Sequence, residues 1–211
     1  MKYAVIGTGK LGTTYATAIA QAGLDLVIGA RDPSHSAALA KTLGGEVEGG
    51  GICAAVKLAD VILIALPYPA TRDAMRKASD QIDLAGKILV DISNPVTPDY
   101  QDLQVGPHTS AAEALQADLP GTVVVKAFNT ILAQLVPPEA RVGRQLQVFL
   151  ASDDDGARRQ VAALATALDF RAVDAGPLRN SRYLESVGMM NIQFAFFLGA
   201  GTATAPAWSH A

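Results

Sequence analysis

The segment of this chain with the clearest chemical potential is a glycine-rich turn near its start. The turn follows an apolar run, Lys2–Ile6, that is typical of a strand, and it leads into a helical pattern, Leu11–Ala22. In this strand–turn–helix order a pyrophosphate can approach the backbone, and the free N–H groups at the helix start face it. The sequence therefore predicts a dinucleotide site whose binding residues include Gly7, Thr8, Gly9, Lys10, Leu11 and Gly12.

The end of the second predicted strand bears on the choice between NAD and NADP. An acid at this position hydrogen-bonds the ribose hydroxyls of NAD and repels a 2′-phosphate. Here the strand ends in Ile28-Gly29-Ala30 and Arg31 follows, a residue whose guanidinium can pair with a phosphate. Asp32 is a competing acid, but Asp32-Pro33 also favours a helix start with aspartate as its N-cap. We therefore predict NADP(H), with Arg31 at the 2′-phosphate.

Turn or polar residues also follow three later strands, at the sheet edge where ligands of open α/β sheets bind. With the phosphates in the first loop and Arg31 on the adenosine side, the nicotinamide reaches toward these later strand ends. We expect Leu66, Pro67 and Asn94 to contact the cofactor, and Tyr68, Asn94 and Asn129 to line the pocket. Asn94-Pro95 is also a common turn pair, and Tyr68 between two prolines also fits simple packing.

No set of side chains suited to acid–base catalysis is evident in the sequence. His35, His108 and His210 are expected at the surface. The run Ser152-Asp153-Asp154-Asp155 could suggest a metal, but it fits a helix N-cap better, and we predict no metal site. Hydride transfer between two flat rings depends on stacking and distance rather than on a proton shuttle. The sequence therefore predicts redox chemistry without a firm catalytic residue.

Composition restricts the class of protein. The chain has 211 residues, half of them hydrophobic, and a formal net charge of −3. This composition predicts a soluble globular protein rather than a nucleic-acid binder. Its single cysteine, Cys53, excludes an internal disulfide and fits a small packed residue. The first residues resemble a core strand rather than a signal peptide, and the apolar stretch Val187–Ala200 is too short to span a bilayer. We expect a cytoplasmic protein with no membrane partner.

Short apolar runs alternate with helical patterns along the chain. This alternation predicts an α/β fold, a Rossmann-like doubly wound and mostly parallel sheet in a single domain, residues 1–211. We expect a flexible loop at Gly44–Gly51 and a C-terminal helical segment at about 181–200, apolar nearly all round, that packs on its own sheet or forms a homodimer. The predicted strands are Lys2–Ile6, Leu24–Gly29, Val61–Leu66, Ile88–Ile92, Val123–Phe128, Leu146–Ala151 and Arg171–Asp174. The other predicted helices are Pro33–Leu43, Pro69–Ser79, Ser110–Ala117 and Asp154–Leu168.

Four blocks of sequence resemble a known family almost from end to end. They are the glycine-rich turn, Gly29-Ala30-Arg31, the segment Val125 to Ile131 and the segment Asp174 to Ser186. The chain resembles the NADPH-dependent reductases of the deazaflavin coenzyme F420, also called F420:NADP oxidoreductases. It is also similar to the cytosolic domain of the six-transmembrane metalloreductases.

The resemblance implies a commonly dimeric, Rossmann-like protein that stacks nicotinamide on a deazaflavin. It implies that Ile131 and Ala133 touch the nicotinamide and that Asn129 faces the deazaflavin. Archaeal members have a histidine where this chain has Asn129 and a proline where it has Leu132. The coenzyme has phosphate and glutamate charges, which could be met by Lys126, Arg179 and Arg182. The segment Gly199-Ala200-Gly201 borders the same pocket by analogy.

Three functions remain open at this point. The first is an NADP(H)-dependent oxidoreductase that passes a hydride between NADPH and a deazaflavin or flavin, with a small-molecule redox co-substrate. The second is an NADPH-dependent reductase of a small imine, ketone or quinone. The third is a non-catalytic NADPH-sensing module.

Overall fold

The computed structural model describes residues 1–209, in which strands and helices alternate along the chain. The strands are β1 Tyr3–Ile6, β2 Leu26–Ala30, β3 Glu48–Gly51, β4 Val61–Ile64, β5 Ile88–Asp91, β6 Val123–Lys126, β7 Gln147–Leu150 and β8 Arg171–Asp174. The helices are α1 Lys10–Gln21, α2 Pro33–Leu43, α3 Ile52–Leu58, α4 Tyr68–Ser79, α5 Ala111–Asp118, α6 Asp155–Ala167 and α7 Ser181–Phe196. All seven predicted strands and all six predicted helices are present. Their ends are displaced by at most two residues, except that the C-terminal helix ends at Phe196, four residues before its predicted end.

Six strands form one parallel sheet in the order β3-β2-β1-β4-β5-β6. Along β1, Tyr3 and Val5 contribute to the apolar layer on one face, while Ala4 and Ile6 contribute to the layer on the other. Because successive side chains of a strand point to opposite faces, a strand buried on both sides is apolar throughout. The predicted Rossmann-like, doubly wound architecture is confirmed.

Strands β7 and β8 form a separate parallel pair. An antiparallel bridge joins this pair to the main sheet, with Lys126 N donating to Ala151 O at 2.9 Å and Ala151 N donating to Lys126 O at 3.0 Å. Leu184 of α7 packs with Phe149 and Ala151 in a third small apolar cluster. The C-terminal helix therefore lies beside the junction between the two sheets.

The expectation of a flexible loop over Gly44–Gly51 is wrong for its second half. Residues Glu48–Gly51 form β3, the edge strand of the main sheet. The sequence Glu-Gly-Gly-Gly gives no strand signal, since glycine and glutamate are both depleted in strands. Position 49 has room only for a glycine, because a Cβ at Gly49 would lie 2.3 Å from the carbonyl oxygen of Ser36 in α2. Helix α3, which includes Cys53, begins directly after β3 and was also not predicted from the sequence.

Two predicted helix starts are confirmed. The Asp32 carboxylate accepts a hydrogen bond from Ser34 N, and the Asp154 carboxylate accepts one from Ala157 N. Both acids therefore cap a helix, as the sequence indicates. Among residues 1–209, each helix is too short or too polar to cross a bilayer.

Candidate functional site

The glycine-rich turn joins β1 to α1 at the carboxyl end of the sheet, and two of its glycines are required by space. A Cβ at Gly7 would lie 2.5 Å from Ala65 O, and its φ of 109° is in a region that side chains rarely adopt. A Cβ at Gly12 would lie 2.0 Å from Gly7 O, so helix and turn pack directly against each other. Around Gly9, in contrast, a Cβ would meet nothing within 4 Å. The turn is closed on its protein side and open on its outer side.

The N-terminus of α1 presents unused donors beside Gly9. Gly9 is the N-cap and provides no side-chain cap, and the first turn contains no acidic residue. The first bond within the helix runs from Thr13 N to Gly9 O, so the N–H groups of Lys10, Leu11 and Gly12 have no acceptor among the described residues. Three free donors and the positive end of the helix dipole form an anion site. The geometry fits a dinucleotide pyrophosphate.

Arg31 lies at the end of β2, on the next strand of the sheet. Its side chain is exposed and makes no hydrogen bond or ion pair with any described residue. The neighbouring Asp32 is occupied, because its carboxylate accepts from both the N–H and the hydroxyl of Ser34. These hydrogen bonds lower the pKa of Asp32, so it remains ionised as a cap. Arg31 is therefore the available cation at this strand end.

The next strand end supplies Leu66 and Pro67, which precede α4. Leu66 is half-buried and its side chain is adjacent to the turn, since Leu66 Cδ2 is 3.1 Å from a Cβ built on Gly7. Tyr68, predicted to line the pocket, is the first residue of α4 and is half-buried. Beyond β6, Ile131 is buried and Ala133 begins a short 3-10 helix. These residues follow β4 and β6 at the same edge as the glycine-rich turn.

Asn94 and Asn129, at the ends of β5 and β6, bond to each other. Asn94 Nδ2 donates to the Asn129 backbone oxygen at 2.7 Å, and Asn129 Nδ2 donates to Asn94 Oδ1 at 2.9 Å. Asn129 Nδ2 also donates to Leu184 O of α7 at 2.8 Å. Asn129 is buried and Asn94 is half-buried, so Asn94 is the more accessible member of the pair. We call these two residues the asparagine pair.

Unusual backbone and unpaired oxygens mark the same strand ends. Phe128 has a φ of 59°, a left-handed conformation that is uncommon outside glycine, and it is held by ring contacts with Tyr15 and Phe170. Three buried side-chain oxygens here have no partner among the described residues: Ser93 Oγ, Asn129 Oδ1 and Thr130 Oγ1. Strain and unsatisfied polar atoms concentrate at functional sites in folded proteins.

A buried ion cluster lies directly behind the asparagine pair. Lys126 Nζ donates to Asp91 Oδ2 and Glu185 Oε1, each at 2.8 Å, and to Ser93 O at 2.7 Å. Burial alone would lower the pKa of Lys126, but the two carboxylates outweigh it and raise that pKa above its usual value. Burial raises the pKa of Glu185, which also accepts from Ala111 N. The cluster joins β5, β6, α5 and α7.

The ion cluster corrects the expectation that Lys126 meets the charges of the coenzyme. Lys126 is wholly buried and fully paired, so it cannot reach a ligand. Arg182 is also occupied, with Nε and Nη2 donating to the two carboxylate oxygens of Glu113 at 2.8 and 2.6 Å. Of the three cations named for this role, only Arg179 is exposed and without a partner in residues 1–209.

The predictions for two of the three histidines and for the capping role of the Ser152–Asp155 run are confirmed. His35 and His108 are exposed, and His210 lies outside the described residues. Asp153 accepts from Leu178 N and Asp154 caps α6, so the Ser152–Asp155 run is structural. Within residues 1–209 no cluster of three or more potential metal ligands occurs.

Sequence reasoning missed the face of α7 that is buried against the strand ends. Glu185, Gly188 and Asn191 lie on this face, although the helix was interpreted as apolar nearly all round. A signal was present in the run Val-Val-Val-Lys-Ala-Phe, since a lysine inside a strand covered on both faces requires buried acids. Asp91, at the matching position of β5, is one such acid, and the spacing of Glu185, Gly188 and Asn191 on one helical face points to the other.

Comparisons with known proteins identify the family to which the chain is similar. A family described as NADP oxidoreductase, coenzyme F420-dependent, matches residues 2–95. The F420-dependent NADP reductase of Methanothermobacter thermautotrophicus is 33% identical over 205 residues, which cover 89% of this chain and 86% of that protein. A crystal structure from Arthrobacter sp. FB24, provisionally described as an F420-dependent NADP reductase, has a TM-score of 0.83 and 30% identity, covering 94% of this chain and 95% of the other.

The second predicted resemblance is also confirmed. Metalloreductase STEAP3 of Rattus norvegicus is 32% identical over 186 residues, covering 88% of this chain but only 36% of the metalloreductase. The chain thus spans about a third of the length of that relative.

Proposed function

The chain belongs to the family of F420-dependent NADP reductases and is an NADP-dependent oxidoreductase, and we propose that it transfers a hydride between NADP(H) and a deazaflavin of the coenzyme F420 type. The observation that supports this most strongly is the glycine-rich turn, closed by backbone at Gly7 and Gly12 and open at Gly9. A pyrophosphate lies against Gly9 and accepts from the free N–H groups of Lys10, Leu11 and Gly12, while Thr8 borders the same turn.

The adenosine half of the cofactor extends toward β2. Arg31, exposed and unpaired in the described chain, forms a charge-assisted fork with the 2′-phosphate. Asp32 does not compete for the ribose, because its carboxylate caps α2. The preference for NADP(H) over NAD(H) follows from this division of roles.

The nicotinamide half extends the other way along the edge, toward β4, β5 and β6. Leu66, Pro67, Asn94, Ile131 and Ala133 form its surroundings in this proposal. NADPH supplies a hydride from C4 of its nicotinamide, the deazaflavin accepts it at C5, and one solvent proton at N1 balances the reduction. The protein places the two rings in contact and keeps water away, which is the main catalytic contribution in such transfers.

Asn129 acts indirectly in this proposal. Its amide is buried and bonded to Asn94 and Leu184 O, so it supports the accessible amide of Asn94. Tyr68 and Asn94 then line the pocket of the acceptor ring from α4 and β5.

We further propose a homodimer, in the cytoplasm, where the small co-substrates of such a reaction are dissolved. Helix α7 exposes Tyr183, Met190 and Phe194, at positions i, i+7 and i+11 along one face. An apolar groove of about 910 Å³ runs along this face, between α7, β7–β8 and the segment 204–208, and Ala200 also lines it. Exposed apolar surface of this extent is typical of an interface, and a second α7 is its natural occupant.

The test of the proposed reaction is an acceptor panel. Purified protein is mixed with NADPH, and loss of NADPH absorbance is followed with coenzyme F420, FMN, FAD, a quinone, a small imine and a small ketone. We expect turnover with F420 at a rate at least about tenfold above that with the other acceptors.

Two outcomes would contradict the proposal. Turnover with an imine, ketone or quinone but none with F420 would identify the second function instead. Tight NADPH binding without turnover on any acceptor would identify an NADPH-sensing module.

A further inference from the structure

We propose that Gly188 is a positioning residue: it lets α7 approach the asparagine pair closely enough to fix Asn94 beside the nicotinamide. This inference rests on the proposed function, because it concerns the site where the nicotinamide binds. It starts from one face of α7, on which the Leu184 carbonyl, Gly188 and the Asn191 amide contact residues just beyond β5 and β6.

Gly188 is the point of closest approach. A Cβ at this position would lie 2.3 Å from Asn94 Oδ1 and 2.9 Å from Asn129 Nδ2. Alanine is the better helix former, so a glycine in the middle of α7 is explained by space and not by helix propensity. The atoms that fill this space are the two side-chain amides of the asparagine pair.

The same face of α7 is held in register from both sides of Gly188. On the N-terminal side, the Leu184 carbonyl accepts from Asn129. The next residue, Glu185, pairs with Lys126, and Lys126 also donates to the carbonyl of Ser93, the neighbour of Asn94. One turn after Gly188, Asn191 Nδ2 donates to Thr130 O at 3.2 Å. The helix therefore cannot move away from the strand ends without breaking a buried ion pair.

A methyl group at position 188 must consequently displace the softer partner, which is the side chain of Asn94. Its Oδ1 is the end of a rotatable side chain, and Asn94 is half-buried rather than packed on all sides. We infer that Gly188→Ala leaves the fold and the adenosine subsite intact but rotates Asn94 out of the asparagine pair. The loss is confined to contacts with the nicotinamide.

Two ligands separate this effect from a general loss of structure. Dissociation constants are measured for NADPH and for 2′-phospho-ADP-ribose, which lacks the nicotinamide, with the wild type, Gly188→Ala, Asn94→Ala and the double variant. Gly121→Ala is the matched control, since a Cβ there meets nothing within 4 Å. We expect Gly188→Ala to weaken NADPH about fivefold or more and to leave 2′-phospho-ADP-ribose within about twofold. We expect no additional loss when it is combined with Asn94→Ala.

Additive losses in the double variant, or equal losses for both ligands, would overturn the inference. If Gly188→Ala alone does not fold, the comparison of Asn94→Ala with the double variant decides the question. Both proteins lack Asn94 Oδ1, the atom that would lie 2.3 Å from a Cβ at position 188. Equal NADPH affinities of those two proteins support the inference, and a further fivefold loss in the double variant overturns it. A wild-type protein that binds 2′-phospho-ADP-ribose and NADPH but does not reduce F420 would contradict the proposed acceptor and not the role of Gly188.

Discussion

At the scale of single residues, the three glycines of the turn differ in what surrounds them. Gly7 and Gly12 are packed against backbone, whereas Gly9 faces open space. The open space beside Gly9 is what the proposed contact with a pyrophosphate requires. The motif predicts this difference by position, since its first glycine makes the tight turn, its second lets a ligand approach the backbone and its third lets helix and strand pack closely.

This difference leads to opposite expectations for two substitutions. Gly9→Ala should leave the free energy of unfolding within about 0.5–1 kcal/mol of the wild type and raise the Kd for NADP⁺ about tenfold or more. Gly12→Ala should cost about 2 kcal/mol or more in stability, since its Cβ overlaps the Gly7 carbonyl. Urea unfolding and fluorescence titration measure both quantities. Equal effects of the two variants on stability would contradict the assignment.

Arg31 provides the second prediction at this scale. Hydrogen bonds to charged groups contribute about 1.5–3 kcal/mol, so Arg31→Ala should weaken NADP⁺ binding about tenfold or more and leave NAD⁺ nearly unchanged. The control is Arg159→Ala, an exposed arginine on α6. An unchanged ratio of the two affinities would show that another group binds the 2′-phosphate.

The role of Lys126 shows a limit of residue-level prediction. Its type and its position near the site suggested a contact with an anionic ligand, yet it is buried and paired with Asp91 and Glu185. The partner Glu185 lies 59 positions away in sequence, on α7. A lysine inside a buried strand indicates that acids must lie nearby, but only the folded topology shows which acids they are.

At the scale of elements, the order and type of most strands and helices could be predicted from the sequence, because apolar runs and cap residues are local signals. β3 and α3 could not, since β3 consists of Glu48 and three glycines, of which Gly49 lies in close contact with α2. The strand-end loops at Asn94 and Asn129 were also predicted to meet, because parallel strands share one edge. Their mutual hydrogen bonds and the cover provided by α7 depend on tertiary packing.

Helices α4 and α5 are joined by an ion pair that predicts a pH dependence of stability. The Asp118 carboxylate accepts from Arg72 at 2.6 and 2.8 Å and also from Arg76, and these bonds lower its pKa below 3.8. Since the folded state lowers this pKa, the stabilisation is present at neutral pH and is lost as the pH falls through the folded value. Asp118→Asn should therefore cost about 1 kcal/mol at pH ~7 and less at pH ~3.

Urea unfolding of both proteins at the two pH values checks this prediction. Asp73→Asn, an exposed acid on α4, is the control and should show little difference at either pH. A penalty for Asp118→Asn that persists undiminished in acid would contradict the ion-pair explanation.

At the scale of the whole molecule, α7 has two distinct faces. One face, with Glu185, Gly188 and Asn191, is buried against the strand ends, and the other exposes Tyr183 and Phe194 beside the apolar groove. The proposed homodimer covers the second face and thereby presses the first onto the site. We also propose that the chain folds as a single domain, because α7 and the β7–β8 pair are both tied to β6.

The exposed face makes the assembly testable. Phe194→Asp should give a monomer, since a carboxylate in the middle of an apolar interface is left without a partner. Sedimentation velocity measures the change, with Leu58→Asp on α3 as a control that alters an equally exposed apolar residue elsewhere. A wild-type protein that sediments as a monomer, or a Phe194→Asp variant that remains dimeric, would contradict the proposed interface.

Isotope tracing follows the proposed hydride itself as it passes between the two rings at the carboxyl edge of the sheet. NADPH deuterated at C4 of the nicotinamide, on each face in turn, is reacted with coenzyme F420 on the purified protein, and the reduced coenzyme is analysed by mass spectrometry. We predict that deuterium from one face, and from that face only, appears at C5 of the deazaflavin. Deuterium lost to water, or F420 left unreduced while NADPH stays bound, would rule out direct transfer between the rings.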